Sequence, residues 1–491
     1  MSTQTLIESN EFFIGGEWVA PKGSGRIEVH SASTEELIGS VPDGTPEDID
    51  AAVAAARSAM DDPQGWRSWS AEDRAAAMER LADAFDARSG EIARRISMQN
   101  GMPIAIAQQL EAVFPSLLLR YYAGLARATP LREERDGILG GKILVEKTPV
   151  GVVGAIVPWN FPQSLAAFKL APLLAAGCTV VMKPSPETVL DSLELAEAIR
   201  EAGIPDGVIN IVPGGREVGA HLVEHPGVDK VAFTGSTAAG RSIAARCGEL
   251  LRPVTLELGG KSAAIVLDDA DFATAAENLF SATLLNNGQT CFLGTRVLAP
   301  RSRYDEVLQV FGGLADALQV GDALDPATQI GPMASARQRE RVEGYIAKGK
   351  AEGARVVAGG NPSDQERGWF VQPTIFADVE NSQTIAQEEI FGPVLSVIPY
   401  DSDEEALAIA NDSEFGLGGS VWTTDQERGE AFARRVQTGS IGINHYLPDP
   451  AAPFGGVKAS GLGRELGPEG LQAYLSTQSI YKTQGSAGAA P

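Results

Sequence analysis

The chain is short of the residues that most often announce a chemistry. Of 491 residues only three are cysteine (Cys178, Cys247 and Cys291), too few and too odd in number for a disulfide framework. That scarcity fits a reducing compartment. Four are histidine (His30, His221, His225 and His445), and no pair of them has convincing metal-ligand context, so no metal is expected. Positive charge is scarce too. Lys and Arg number 40 against 64 Asp and Glu, and a net charge of −24 argues against nucleic acid as a partner. That acidic coat reads as a solvated surface and says nothing about a substrate. No apolar run approaches the roughly 18 residues of a membrane span. The best stretches, 150–159 and 170–182, are too short and are broken by Gly or Pro. The first ten residues lack both the basic and the apolar parts of a secretory signal, so a cytoplasmic location without membrane contact is expected.

What is present describes a large α/β enzyme. A length of 491 residues gives about three domains, and 44% hydrophobic with 21% charged residues is ordinary for a globular chain. Residues 11–22 read as two short strands around Gly15-Gly16, and 48–60 and 71–99 carry Ala, Leu and Ile at helical spacing. Residues 137–147 read as a projecting hairpin turned by Gly140-Gly141. From residue 150 strand and helix alternate. Strands are expected at 152–157, 179–182, 208–212 and 230–233, with helices at 164–175, 190–202, 221–224 and 241–251. That rhythm predicts a parallel sheet covered by helices. A second α/β series runs through 263–267, 296–299, 361–379 and 394–400. Residues 479–482 read as a strand that pairs elsewhere, and 485–491 as a flexible end.

Three short stretches carry the chemistry. Asn287-Gly-Gln-Thr-Cys291 puts a thiol in a polar loop, where it is accessible and can ionise. Its rivals are packed by their context: Cys178 feeds an apolar strand and Cys247 falls in a helix. Glu257 ends a strand between apolar neighbours, which suits either a structural ion pair or a base with a raised pKa. Asn160, in Pro158-Trp-Asn-Phe-Pro162, follows a buried strand where open α/β sheets bind ligands, although a turn asparagine has the same look. Together they offer a nucleophile, a base and an oxyanion donor. Phe233-Thr-Gly235-Ser236, after a strand and opening a helix, suits a pyrophosphate at a helix N-terminus or a plain strand-to-helix turn, and Lys183-Pro-Ser-Pro-Glu187 ends a strand upstream in the same β-α-β series, where by itself it reads as a surface lysine. Gly260-Lys261-Ser262 is no phosphate-binding loop, because Thr255 stands where that motif needs glycine. Gly461-Leu-Gly463 reads as a turn.

These motifs, in this order, resemble the aldehyde dehydrogenase superfamily nearly end to end. The resemblance implies an aldehyde dehydrogenase fold: a Rossmann-like cofactor domain (1–127 and 150–258) and an α/β catalytic domain (259–460). A small β oligomerisation element (128–149 with 461–491) completes it. It implies oxidation of an aldehyde to the acid through a thiohemiacetal and thioester on Cys291, with Glu257, Asn160 and Lys169 as the other catalytic residues. Ile156, Pro158, Trp159, Lys183, Ser185, Glu187, Gly215, Gly219, Phe233, Gly235, Ser236, Leu258, Glu389 and Phe391 would hold the cofactor. NAD is expected and NADP stays open, because Pro186 stands where the family places its selecting glutamate and Glu187 follows it. Succinate-semialdehyde enzymes place arginine, and betaine-aldehyde enzymes tryptophan, where Phe168 stands. With Phe161, Leu165, Leu285, Phe292, Tyr446 and Phe454 it implies an apolar tunnel for aliphatic, terpenoid or aromatic aldehydes, with His445 and Tyr446 at the mouth. Unpaired sheet edges at the hairpin and terminal strand favour a homodimer or homotetramer. Two alternatives remain. One is a coenzyme-A-acylating semialdehyde dehydrogenase, whose members lack the glutamate matched by Glu257. The other is a catalytically silent scaffold of this fold.

Overall fold

The computed structural model describes residues 6–272 and 275–482, so the flexible end expected at 485–491 lies outside the described residues. Two large sheets organise the chain. The first has eight strands in the order Gly461–Leu462, Val254–Glu257, Lys230–Thr234, Val152–Ile156, Thr179–Lys183, Ile209–Ile211, Phe12–Ile14 and Glu17–Val19. Its five central strands are parallel. Val152–Ile156, Thr179–Lys183 and Lys230–Thr234 are buried at every position. Helices on both faces make that possible, and it is why these strands appear in the sequence as continuous apolar runs. From Val152–Ile156 the chain builds outward in one direction through 179–183 and 209–211, then returns to build the other side through 230–234 and 254–257. The strand order therefore reverses between Val152–Ile156 and Lys230–Thr234. A crevice opens at such a point, at the carboxyl ends of the strands.

The second sheet has seven strands, in the order Arg355–Ala358, Thr374–Ala377, Val394–Tyr400, Arg296–Pro300, Ala263–Val266, Gly419–Trp422 and Gly442–Ile443. All pairs are parallel except the first. A separate antiparallel sheet joins Arg132–Asp136, Lys142–Pro149 and Leu475–Lys482, the last two in register from Leu475↔Pro149 to Lys482↔Lys142. Among the described residues no helix is long and apolar enough to cross a membrane.

The structure departs from the sequence reading in several places. The helix expected over 71–99 is two, Ala71–Asp86 and Ser89–Asn100. Only Thr374–Ala377 of 361–379 is a strand. The terminal strand begins at Leu475, four residues earlier than expected. Gly461–Leu462, read as a turn and grouped with the oligomerisation element, instead pairs antiparallel with Leu256 and Glu257 in the first sheet. Gly461 permits this approach: φ is +150°, and a Cβ there would lie 2.1 Å from the Leu256 carbonyl oxygen.

Candidate active site

Asn160 leaves the carboxyl end of Val152–Ile156 at the reversal point, and Gly235-Ser236 leaves the adjacent strand Lys230–Thr234. Ser236 caps the helix Thr237–Glu249 by accepting from Ala239 N–H. The helix Pro162–Ala176 starts at once after Asn160, with Pro162 at its first position, where a missing N–H costs nothing.

The loop that carries Cys291 is held from three sides. Asn286, Asn287 and Gly288 all adopt left-handed backbone (φ 52°, 59° and 74°). Asn287 Nδ2 donates to the carbonyls of Gly101 (2.8 Å) and Pro332 (2.9 Å), while its Oδ1 accepts from Gly331 N–H (2.7 Å). Asn286 Nδ2 donates to the Asn160 carbonyl (3.0 Å), and Asn160 Nδ2 donates to the Gln289 carbonyl (3.0 Å). Asn160 and the thiol loop are therefore locked to each other. A Cβ on Gly288 would sit 2.1 Å from the Gly392 carbonyl oxygen, so this glycine also lets the segment of Glu389 and Phe391 close on the loop.

Two cavities meet at this junction, and among the described residues the only ones common to their walls are Asn160 and Cys291. One is a tunnel enclosing about 560 Å³, part of it open to solvent, with no charged side chain in its wall among the described residues. The expected Phe161, Leu165, Phe168, Leu285, Phe292 and Phe454 all line it. Its rings form a chain of aromatic contacts, Phe114–Phe168 (5.9 Å), Phe168–Phe454 (6.1 Å) and Phe292–Phe454 (6.3 Å). The other cavity is a polar cleft of about 1100 Å³, open on one side, whose walls include Pro158, Trp159, Gly235, Ser236, Leu258, Glu389 and Phe391. Trp159 and Phe391 meet edge to face at 5.3 Å. Glu389 Oε1 accepts from Gly260 N–H at 3.0 Å.

The remaining expected cofactor residues do not line the cleft. Lys183 is buried beside it, donating to the carbonyls of Gly214 (2.6 Å) and Pro184 (3.0 Å), and burial pushes its amine down to about 8. Gly219, in the helix Arg216–Glu224 that follows Gly215, lets that helix approach Lys183 and Ile156: a Cβ there would meet Lys183 Cε at 3.4 Å. Phe233 packs under Gly235. Ser185 donates to Glu187 Oε2 (2.5 Å), and Arg337 reaches Glu187 Oε1 (3.1 Å).

Glu257 lies behind the junction and lines neither cavity. It is 2% exposed, its carboxylate rests against Gly455, and neither oxygen has a partner of good hydrogen-bonding geometry. Burial and the neighbouring Glu465 carboxylate raise its pKa well above the usual carboxylate range, and Lys169, Arg464 and the Gly456 amide offset only part of this. Fully buried Lys169 donates to Glu465 Oε1 (2.8 Å) and Thr234 Oγ1 (2.6 Å), tying that second carboxylate to the cleft wall at Thr234. Burial, then Glu389 and Glu257, push the Cys291 thiol far up as well.

Comparisons with known proteins agree with this arrangement. Residues 18–480 match the model of the Aldehyde dehydrogenase family. The chain belongs to that family. Among its relatives, the geranial dehydrogenase of Castellaniella defragrans is 58% identical over 475 residues, 97% of this chain and 99% of the relative. The phenylacetaldehyde dehydrogenase of Pseudomonas fluorescens is 39% identical over 96% of this chain and 95% of its own length. An aldehyde dehydrogenase of Mycobacterium tuberculosis solved with NAD+ superposes with a TM-score of 0.96 at 48% identity, over 99% of this chain and all of that one. Aldehyde dehydrogenase C of Pseudomonas syringae, solved with NAD+ and octanal, gives 0.92 at 39% identity over 96% of each chain.

This aldehyde dehydrogenase differs from the sequence reading at the tunnel mouth. Tyr446 does not line the tunnel; it stands behind Phe292 (5.2 Å, edge to face) with its hydroxyl 2.5 Å from Ser440 Oγ, and His445 is exposed. Leu110, Phe114, Leu447 and Pro448 occupy the wall instead. Arg337, Gln338 and Arg341, from a helix the sequence reading missed, line the cleft, and Gln338 Nε2 holds the Phe391 carbonyl at 2.7 Å. His221 and His225 do come together, 2.6 and 3.4 Å from Asp50 Oδ1. Gly227 N–H donates to His225 Nδ1 (2.9 Å), so the proton of a neutral ring sits on Nε2. A metal needs that nitrogen's lone pair, and the cluster is better described as two histidines sharing one carboxylate.

Proposed function

We propose that the protein oxidises an apolar aldehyde of the geranial type to its acid, with NAD preferred, through a thioester on Cys291. The observation that carries this reading is that an apolar tunnel and a polar cleft meet at Cys291 and Asn160, the residues they share among those described. An aldehyde entering by the tunnel meets the sulfur from one side while a dinucleotide approaches from the other. The residues fit such a cofactor. Gly235 and Ser236 at a helix N-terminus suit a pyrophosphate, Lys183 and Glu187 suit a ribose, and Trp159, Glu389 and Phe391 suit the nicotinamide end. A nicotinamide bound there would supply the hydride acceptor for the oxidation.

The protein's own groups do the rest. The Cys291 thiolate, its proton lost to solvent, bonds the carbonyl carbon; the carbonyl π pair moves onto oxygen, and the new oxyanion lies against the Cys291 N–H and the second N–H of Asn160, whose first is fixed on Gln289. After oxidation the acyl group is a thioester on Cys291. Glu257 takes a proton from the attacking water, and the neighbouring Glu465 is held by Lys169 at 2.8 Å. The presence of Glu257 favours water over coenzyme A as acceptor. Asn160→Ala lowers kcat by about 10²–10³ while NAD+ binding, followed by tryptophan fluorescence, stays within a few-fold of wild type.

The substrate reading rests on the uncharged, aromatic wall and is supported by the relative that acts on geranial and the neighbour that holds octanal. Initial rates with geranial, octanal, phenylacetaldehyde, betaine aldehyde and succinate semialdehyde test it; preference for the last two would overturn it. For the cofactor, Glu187 would repel a 2′-phosphate. Glu187→Gln then raises the NADP/NAD ratio of kcat/KM by about ten-fold, and an unchanged ratio would assign the selection elsewhere. The division of the chain is read along the two sheets, with Gly461–Leu462 moved to the cofactor side. The exposed hairpin tip (Ile138, Leu139) and the strand with exposed Tyr481 support assembly as a homodimer or dimer of dimers. A nucleophilic thiol suits the reducing cytoplasm.

A further inference from the structure

One fully buried carboxylate lines neither cavity. Glu111 is 0% exposed and directly follows the helix Ile104–Leu110. Its Oε2 accepts from the Gln163 N–H (2.8 Å) and its Oε1 from the Ser164 N–H (3.3 Å). Both amides belong to the first turn of the helix Pro162–Ala176, whose N-cap residue Phe161 offers them no side-chain acceptor. First-turn amides have no partner inside their own helix, so Glu111 caps this one from a separate segment. Burial pushes the Glu111 carboxyl up to about 8, and the two amides offset part of that. The side chain of Gln163 is fixed as well. Its Nε2 donates to the buried Asp191 (2.6 Å), which also accepts from Gln99 Nε2 (2.9 Å). The same stretch of chain grips the other side of the Asn160 loop. Asn100 Nδ2 donates to the carbonyls of Trp159 (3.1 Å) and Asn160 (3.2 Å), and the Gly101 carbonyl holds Asn287 of the thiol loop. Residues 99–111 therefore clamp the chain before and after Asn160, and only Phe161 and Pro162 separate Asn160 from the first amide on Glu111.

We infer that Glu111 is a positioning residue for the oxyanion donor: by holding the first turn of the helix Pro162–Ala176 it aims the Asn160 amide at the reacting carbonyl oxygen. This rests on the proposed role of Asn160. One Asn160 N–H is fixed on the Gln289 carbonyl, so the direction of the other follows from where the backbone sets residue 160. The ring of Pro162 restricts the short link to Gln163, so a displacement of the helix start passes back to Asn160. Without Glu111 the amides of Gln163 and Ser164 face a dry interior with no acceptor, and the turn must shift to satisfy them. A misplacement of about 1 Å at a reacting group costs on the order of 10²-fold in rate. The donor acts mainly once negative charge has formed on oxygen, so the loss falls on kcat rather than on KM.

The test is a double-mutant cycle, read as kcat and KM for octanal with NAD in the wild-type enzyme, E111L, E111Q, N160A and the two double variants. E111L removes both acceptors and lowers kcat by about 10- to 100-fold, with KM held within about three-fold. E111Q keeps one acceptor oxygen for the Gln163 amide and lowers kcat by only about five-fold. In the N160A background each change costs less than about two-fold, because the donor that Glu111 aims is already gone. Losses in N160A as large as those in the parent would overturn the inference, because Glu111 would then act on the tunnel or on the fold at large. An unchanged kcat in E111L would overturn it too. Should E111L fail to fold by circular dichroism, E111Q carries the same cycle, and there an additive or absent loss is the overturning result. Near-normal turnover by N160A itself would remove the proposed oxyanion donor and this inference with it, an outcome distinct from the others.

Discussion

Exchanging Cys291 for alanine abolishes aldehyde oxidation, a fall of about 10⁴-fold or more, while NAD+ affinity remains near wild type. The size follows from the lack of a substitute. Cys178 is fully buried against the Tyr474 carbonyl, with its thiol pushed up to about 11, and Cys247 is buried in the helix Thr237–Glu249. Neither lines the tunnel or the cleft. The same loss is expected whether NAD or NADP is supplied, because the thiol acts before the cofactor does. Burial, Glu389 and Glu257 also hold the Cys291 proton on. Its thiolate is the reactive form, so alkylation by iodoacetamide in the cofactor-free enzyme is slow at neutral pH and speeds up as pH rises. NADH production by the alanine variant above one-hundredth of the wild-type rate would exclude Cys291 as the nucleophile.

Glu257→Gln gives a different failure. The first turnover survives and later ones do not: a burst of about one NADH per active site, followed by a steady rate lowered by about 10²–10⁴. Oxidation needs the thiol and the oxyanion donors, whereas hydrolysis also needs a base. In the proposed mechanism Glu257 supplies it only when unprotonated, and its raised pKa means that the base form is lost as pH falls through a value above the ordinary carboxylate range. The hydrolysis-limited rate therefore climbs with pH over that region in the wild-type enzyme. In the glutamine variant this limb of the profile disappears. Stopped-flow absorbance separates the phases, and equal suppression of burst and steady rate would assign Glu257 to folding or binding instead.

Much of this was legible in the chain because local pattern and final environment agree. Val152–Ile156 and Lys230–Thr234 are apolar throughout because they are buried on both faces, and such runs need no tertiary knowledge to find. Cys291 and Asn160 stand in polar or Pro-bracketed loops beside buried strands, where composition changes sharply. The helix Ala336–Ala351 escaped notice because it buries only Val342, Ile346 and Gly349, which gives too thin an apolar stripe to register. With it went Arg337, Gln338 and Arg341. Glu465 could not be paired with Lys169 by any local signal, since 296 residues separate them and only the return of Gly461–Leu462 to the first sheet brings them close. Tyr446 was misassigned for a related reason. It packs edge to face against Phe292 with its hydroxyl on Ser440, contacts no sequence spacing reveals.

The claim on which the rest depends is that the oxidised substrate is held covalently by one sulfur. Mixing the Glu257→Gln enzyme with NAD+ and octanal, quenching in acid within a second and mapping peptides by mass spectrometry tests it directly. The expected result is an octanoyl mass on the peptide carrying Cys291, removable by hydroxylamine and absent without NAD+. A full NADH burst with Cys291 unmodified, or the acyl group on Cys178 or Cys247, would contradict it.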